Sequence, residues 1–261
     1  MKRAIILAAG RGSRLAAASS GNAKCMLPVG GKTLIEHQLA VLHEARVKSI
    51  TIVVGYEADA VIKHLGPGYD YVVNERFAET NSLYSLWLAR KPVEGSVTVM
   101  NSDVLAHPMI YHRVLAARGN VLAYDSRSGH EDEHMKVNFD GNQLRAISKA
   151  MPVADSHGEN LGILRFNKRG ARSLFAEATR LVESGQHNAW APAALNRVLK
   201  DVPIHGIDVR GLPWTEIDFP EDLSRAETQV WPAIDRSYSD HVFARRGVAA
   251  QVVTLDRFRD R

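Results

Sequence analysis

The sequence predicts an α/β protein built on a mainly parallel sheet with helices on both faces, and three observations carry that prediction. Through the first half, apolar runs of strand length alternate with segments of helical apolar spacing. The runs close on glycine or polar residues at Gly10, Gly55, Asn74 and Asp103, and such sheets gather their ligands at the carboxyl ends of strands. The first run, Ala4–Ala9, empties abruptly into Gly10-Arg11-Gly12-Ser13-Arg14, a glycine-rich, cationic turn.

The elements follow in order. After the first loop, Leu34, Ile35, Leu39, Val41 and Leu42 have helical spacing over 34–45, and Ser49–Val54 is a strand ending at Gly55-Tyr56. A helix over 58–65, a strand over 69–73, a helix beginning at Asn81 and a strand over 97–100 come next. A helix over 109–117 and a strand over 121–124 complete this half. The second half reads differently. Two strands, 135–139 and 144–147, flank Asp140-Gly141 as a hairpin. A strand over 163–166 and helices over 170–183 and 190–199 follow, then strands around 204–209 and 214–217. The last helix spans 220–230, with Glu221 and Asp222 suited to the dipole of its first turn. This divides the chain into one domain over 1–231, with halves of about 1–125 and 126–231, and 232–261 a tail that packs on this subunit or a neighbour.

Composition bounds the function. The chain has 261 residues, 45% hydrophobic and 24% charged, enough for a sizeable core. No apolar run approaches the roughly 18 residues of a membrane span, and Lys2-Arg3 precedes a run too short for a signal peptide. The single Cys25 forms no internal disulfide and fits a reducing cytosol, so a cytoplasmic protein is expected. A net charge of +4 and a pI near 9.2 come without a basic run of five residues, which argues against nucleic acid and suits a phosphorylated substrate.

The first turn holds the sharpest chemistry. Glycines let backbone N–H groups approach phosphate oxygens, arginines bring forked donors, and Lys24 adds a point charge. Leu15 stands where a dinucleotide fingerprint needs its third glycine, and no P-loop lysine follows the glycines. The full pattern, Leu7–Leu15 as L-A-A-G-R-G-S-R-L, then Lys24–Val29 and Gly31-Lys32-Thr33-Leu34-Ile35, resembles the nucleotidyltransferases that activate phosphorylated sugars and alcohols with a nucleoside triphosphate. Thr33 replaces the family's usual Pro. The resemblance implies a Rossmann-like, glycosyltransferase-A-like nucleotidyltransferase fold with a small acceptor-binding insertion. It further implies that Ala8, Ala9, Gly10 and Gly12 wrap base and triphosphate, that Arg14 and Lys24 neutralise the phosphates, and that Leu7, Ser13, Gly55 and Ser102 join them in nucleotide binding.

Asp103 follows a strand, and Glu216 and Asp218 lie two residues apart at the end of another, where period-two geometry turns both to one face. Displacing pyrophosphate needs charge neutralised at the attacked phosphorus, a task suited to Mg²⁺ on carboxylates. In the family resembled, an Asp after the fourth strand and an E-I-D-like segment hold catalytic Mg²⁺, which implies Asp103, Glu216 and Asp218 as ligands and Arg14, Lys24 and Asp103 as the catalytic set.

The acceptor is read from 79–89. Asn81-Ser82-Leu83-Tyr84-Ser85-Leu86 resembles the phosphocholine cytidylyltransferase branch, which carries N-N-x-Y-S-L where sugar enzymes carry a glycine-rich stretch. Asn81 and Ser82 are then base contacts. Glu159-Asn160-Leu161-Gly162 and His187–Leu195 resemble the same branch in the acceptor pocket. Tyr84, Trp190 and Trp214 are candidate aromatic faces for a cationic acceptor, Glu159 and Asn160 polar contacts, and Lys136 and Lys149 candidates for its phosphate. The expectation is a cytidylyltransferase joining CMP from CTP to a small phosphorylated or phosphonylated acceptor, with a homodimer possible and neither membrane nor nucleic acid as partner. A sugar-1-phosphate enzyme using UTP, GTP or dTTP is the nearest alternative; a non-catalytic nucleotide-binding regulatory module is the other, and it could dispense with the carboxylates present here.

Overall fold

A computed structural model describes residues 2–15 and 21–237 of the chain. Among these, nine strands form one sheet in the order β5-β4-β1-β6-β11-β8-β12-β10-β9. The first four are β1 (Lys2–Ala8), β4 (Ser49–Val54), β5 (Asp70–Val73) and β6 (Ser96–Asn101), all parallel to one another. Strands β8 (Val121–Asp125), β9 (Lys136–Asp140), β10 (Gln143–Ser148), β11 (Gly158–Phe166) and β12 (His205–Asp208) build the other half. There β11 enters antiparallel between β6 and β8, and β9 and β10 form the hairpin; only β8 and β12 pair in parallel. The four mutually parallel strands thus lie within residues 2–101, and β9, β10 and β11, which bring the antiparallel pairings, come with residues beyond 135.

Period-two alternation places β1 between two cores. Ala4, Ile6 and Ala8 face one side, with Ile52 and Val54, under α1 (Leu34–Glu44), α2 (Ala58–Leu65) and α4 (Pro108–Ala116). Ile5, Leu7 and Ala9 face the other, under α3 (Ser82–Leu88), α5 (Lys168–Glu183) and α6 (Pro192–Val198). Local chemistry starts the helices where the sequence indicates. Thr33 and Glu36 make a reciprocal capping box on α1, and Pro108 and Pro192 occupy first turns.

Two short strand pairs and the C-terminal helix complete the frame. β2 (Pro28–Val29) pairs with β3 (Lys32–Thr33), and β7 (Val104–Ala106) with β13 (Trp214–Glu216). The last helix, α7 (Pro220–Arg225), continues through a π-helical turn, Ala226–Val230, and on over 231–237. Leu15, Leu27, Leu34, Leu105, Ile217, Ala226 and Ile234 bury one another in a third, smaller core directly beneath the loop that follows β1. Residue Trp231 lies against His37, with ring centroids 4.6 Å apart. The start of the expected tail therefore packs on this subunit, while 238–261 lies outside the described residues. No described helix is long and apolar enough to cross a membrane, and Cys25 is a free, buried thiol.

Candidate active site

Two three-residue strands bring distant carboxylates together. Antiparallel pairing sets Glu216 opposite Val104, and the Ile217 N–H donates to the Asp103 carbonyl at 3.0 Å. Asp218 follows, its N–H and that of Phe219 held by the Asp222 carboxylate at 3.0 and 2.9 Å. Arg225 in turn ties Asp222 to the Thr215 hydroxyl. Ligand atoms of Asp103, Glu216 and Asp218 all lie within 4.8 Å of one another. Lys24 completes the cluster: its ammonium donates to Asp103 Oδ2 at 2.7 Å and to Asp218 Oδ1.

The electrostatics suit a divalent cation. Burial opposes the charge on Lys24, but Asp103 and Asp218 outweigh it and push its pKa up. For Glu216, burial and the charges of Asp103 and Asp218 push its pKa up to about 8, with Lys24 pulling the other way. Asp103 Oδ1 is buried and has no hydrogen-bond partner. Three oxygen donors, one of them unsatisfied, fit a hard ion that would supply the missing positive charge.

The β1 loop covers this floor. Gly12 has φ +66°, and a Cβ there would sit 3.0 Å from the Lys24 Cβ, so the left-handed glycine lets the loop lie on the lysine stem. Gly55 is packed still closer, since a Cβ would lie 2.7 Å from the Ala9 carbonyl. Arg14 reaches out of the loop to Glu133 at 3.3 Å, its guanidinium 4.9 Å from the Phe219 ring centroid.

A cavity of about 290 Å³ opens from this floor. Leu7, Ala9, Gly10, Lys24, Ser102 and Asp103 line one end of it, with Glu216 and Asp218. Asn81 and Ser82 line it from the start of α3. That start is stitched to the segment before α6: the Asn81 and Leu83 N–H groups donate to the His187 and Ala189 carbonyls, and the Ala191 N–H donates to Ser82 Oγ at 2.9 Å. Two stretches separated by a hundred residues thus form one wall. Ala8, Gly12, Ser13, Arg14 and Gly55 do not line this cavity, and Arg14 lines a neighbouring one instead.

Of the acceptor candidates, the structure brings Lys149, Asn160 and Trp190 to the cavity. The Lys149 ammonium lies 5.2 Å from the Trp190 ring centroid, and Trp190 is 47% exposed. Asn160 is buried, with Oδ1 unpartnered. Four others are engaged elsewhere. Lys136 is wholly buried, and its ammonium donates to the carbonyls of Glu131, Asp132 and His134 at 3.0–3.4 Å, so it ties down a loop. Glu159 takes the Ser128 hydroxyl and sits 3.5 Å from His134 Nδ1; burial raises its pKa against both partners. Trp214 donates from Nε1 to Asp125 at 2.9 Å. Tyr84 packs on Trp87 and beneath Arg76, outside the cavity.

The cavity also has walls the sequence reading left aside, Phe77, Thr80, Asn101 and Met135, and it takes in Asn74, read from sequence as a strand end, and Gly162, read as part of an acceptor-pocket segment. Asn74 donates to Thr80 Oγ1 and Ser85 Oγ, fixing the approach to α3. Gly162 has φ +69°, and a Cβ would fall 2.4 Å from Asn101 Nδ2, so a side chain there would displace Asn101. A glycine inside an otherwise apolar strand pattern was the available signal for that close approach.

The sequence profile of the MobA-like NTP transferase domain matches residues 4–199. The chain is 25% identical over 228 residues to the bifunctional protein GlmU of Methanococcus maripaludis, covering 85% of this chain and 53% of that protein. It is 38% identical over 120 residues to the CMP-5'-(3-aminopropyl)phosphonate synthase of Streptomyces rubellomurinus, covering 44% of this chain and 19% of that one. The chain thus spans about half the length of the first of these relatives, and the match covers a fifth of the second. Among solved structures, the CTP:phosphocholine cytidylyltransferase of Streptococcus pneumoniae shares the fold, with a TM-score of 0.71 and 23% identity over 87% of this chain and 97% of that one.

Proposed function

The chain belongs to the MobA-like NTP transferase domain family, and on that premise we propose that it is a Mg²⁺-dependent cytidylyltransferase. In this reading it transfers CMP from CTP to a small phosphorylated or phosphonylated acceptor and releases pyrophosphate. The observation that carries the reading is the meeting of Lys24 with three carboxylates at the end of a cavity walled by the β1 loop and by Asn81 and Ser82.

An acceptor phosphate oxygen attacks the α-phosphorus of CTP; that P–O bond forms as the bond to the β-phosphate oxygen breaks, and pyrophosphate departs as an anion. No covalent enzyme intermediate and no general base are required, so the work is positioning and neutralising charge. Asp103, Glu216 and Asp218 would hold Mg²⁺, whose bound charge polarises the phosphate oxygens. Lys24 places a fixed ammonium at the same end of the cavity, Arg14 offers a forked donor to the triphosphate, and Ala9 and Gly10 bring backbone close to it. Lys149, with Asn160 and Trp190 beside it, faces the acceptor.

The base preference rests on Asn81. Its Oδ1 accepts from the Ser82 N–H at 2.8 Å, which fixes the amide and leaves Nδ2 available to donate to a base. Cytosine presents an acceptor at ring N3 where uracil presents a donor, so a donor there favours CTP. The names of the Streptomyces and Streptococcus proteins, one a CMP-phosphonate synthase and one a CTP enzyme, support the same nucleotide, and the aminoalkyl and choline groups in them support a small aminated acceptor.

Pyrophosphate release measured with each of four NTPs against phosphocholine, aminoalkyl phosphonates, polyol phosphates and sugar 1-phosphates tests the proposal. The expected result is turnover with CTP and a small non-sugar acceptor, at least tenfold above UTP in kcat/KM. Turnover of glucose 1-phosphate with UTP or dTTP, and none with CTP, would overturn it.

A further inference from the structure

Glu133 lines a cavity beside the cleft, where two cations from distant segments meet it. Arg14, from the loop after β1, and Lys149, just past β10, reach the same carboxylate oxygen, Oε2, at 3.3 and 3.4 Å. Arg14 first, then Lys149, hold the Glu133 carboxyl below its ordinary pKa. A second cavity adjoins the first through Lys149 and Trp190, and Arg14, Asp132 and Glu133 line it. Glu133 is held at this point from below. The buried Lys136 ammonium takes the carbonyls of Glu131 and Asp132 on one side of it and of His134 on the other.

We propose that Glu133 is a specificity-determining counter-charge, competing with the nucleotide's phosphates for Arg14 and with the acceptor's phosphate for Lys149. The proposal rests on the nucleotidyltransferase reading above, which assigns those two anions to those two cations. A triphosphate and an acceptor phosphate together engage both cations and displace one carboxylate from both. A lone anion engages one cation and must displace a carboxylate that the other still holds in place. Glu133 therefore raises the threshold for stray anions and assists departure of pyrophosphate by reclaiming Arg14. Both pairs are solvent-exposed, so each is weak and easily exchanged. The effect is several-fold, and it shrinks as salt screens the charges.

The test is calorimetric titration of inorganic pyrophosphate, in Mg²⁺ buffer at low salt, into the wild-type chain, Glu133→Gln and Glu133→Asp, with acceptor KM measured alongside. Glu133→Gln is expected to bind pyrophosphate roughly 3- to 10-fold more tightly and to show a lower acceptor KM. Glu133→Asp, which keeps the charge, should stay closer to wild type, and the gain in Glu133→Gln should fade in high salt. Pyrophosphate affinity and acceptor KM within twofold of wild type in Glu133→Gln, or weaker binding, would overturn the role of Glu133 while leaving the enzyme assignment standing. A wild-type chain that binds neither pyrophosphate nor CTP would overturn both.

Discussion

At the floor of the cleft, Lys24 on a 3-10 turn and Asp103, Glu216 and Asp218 at the ends of two short paired strands are drawn together largely out of solvent. At the rim, Arg14, Glu133 and Lys149 pair in the open, at longer distances and on loops. The floor concentrates charge where leaving it unbalanced is expensive, so its members depend on one another and could share a divalent cation. The rim keeps its charges exchangeable. On the proposed function, the difference implies a division of labour: the floor would decide whether transfer occurs, and the rim which acceptor receives the group and how quickly the site turns over.

Substitutions at the floor should separate from those at the rim by orders of magnitude. Asp103→Ala and Asp218→Ala are each expected to lower kcat by roughly 10²- to 10³-fold with the fold intact by circular dichroism, because each removes a ligand for the charge-neutralising ion. Near-normal rates at saturating Mg²⁺ in both variants would erase the distinction. Lys24→Met should have a double effect. Turnover should fall, and the metal-free protein should lose roughly 3 kcal/mol of stability in urea unfolding, because two carboxylates lose their counter-ion. Mg²⁺ should restore part of that loss, and failure of Mg²⁺ to stabilise the variant would argue against one shared cluster.

The rim variants sharpen the contrast from the other side. Lys149→Ala and Trp190→Ala are expected to raise acceptor KM roughly 5- to 20-fold while changing kcat and nucleotide KM little. A loss confined to kcat would move them to the floor in function. The smallest effect is in pH. The folded Glu216 keeps its proton up to about pH 8, whereas the unfolded chain loses it near the ordinary carboxyl value. The unfolded state therefore binds fewer protons across that window, and the stability that Glu216 contributes is present at low pH and lost as pH rises toward 8. With chelator present, thermal midpoints should fall by a few degrees from pH 5.5 to 8 through this group. Glu216→Gln should lack that component; an unchanged pH dependence in the variant would assign the effect elsewhere.

Floor and rim were also unequally legible in the sequence. The β1 loop, Lys24 and the strand-end Asp103 could be read because glycine punctuation and apolar runs are local signals. The hairpin around Asp140-Gly141 was legible for the same reason, and β9 and β10 flank it as expected. Pairing of β7 with β13 was not legible, since three-residue strands more than a hundred residues apart leave no periodic trace. Yet that pairing is what sets Glu216 beside Asp103. The rim was harder still. Lys136 sits in a strand pattern that suggests a lysine open to an acceptor phosphate, yet it is buried on three carbonyls of an irregular loop. Trp214 looked like a free aromatic face, but its N–H is committed to Asp125. Glu133, the rim's central anion, lies in a run of polar residues with no pattern to single it out.

Titration of Mg²⁺ into the CTP-saturated wild-type chain and the Asp103→Ala/Asp218→Ala pair, followed by calorimetry at pH 7 and pH 8, tests the floor most directly. The account predicts a Mg²⁺ site in the wild type that binds with proton release at pH 7, because the ion displaces the proton held by Glu216, and with less release at pH 8. Affinity should fall at least tenfold in the double variant. Equal affinity and equal proton release in both proteins would contradict the claim that Asp103, Glu216 and Asp218 form one metal-holding floor.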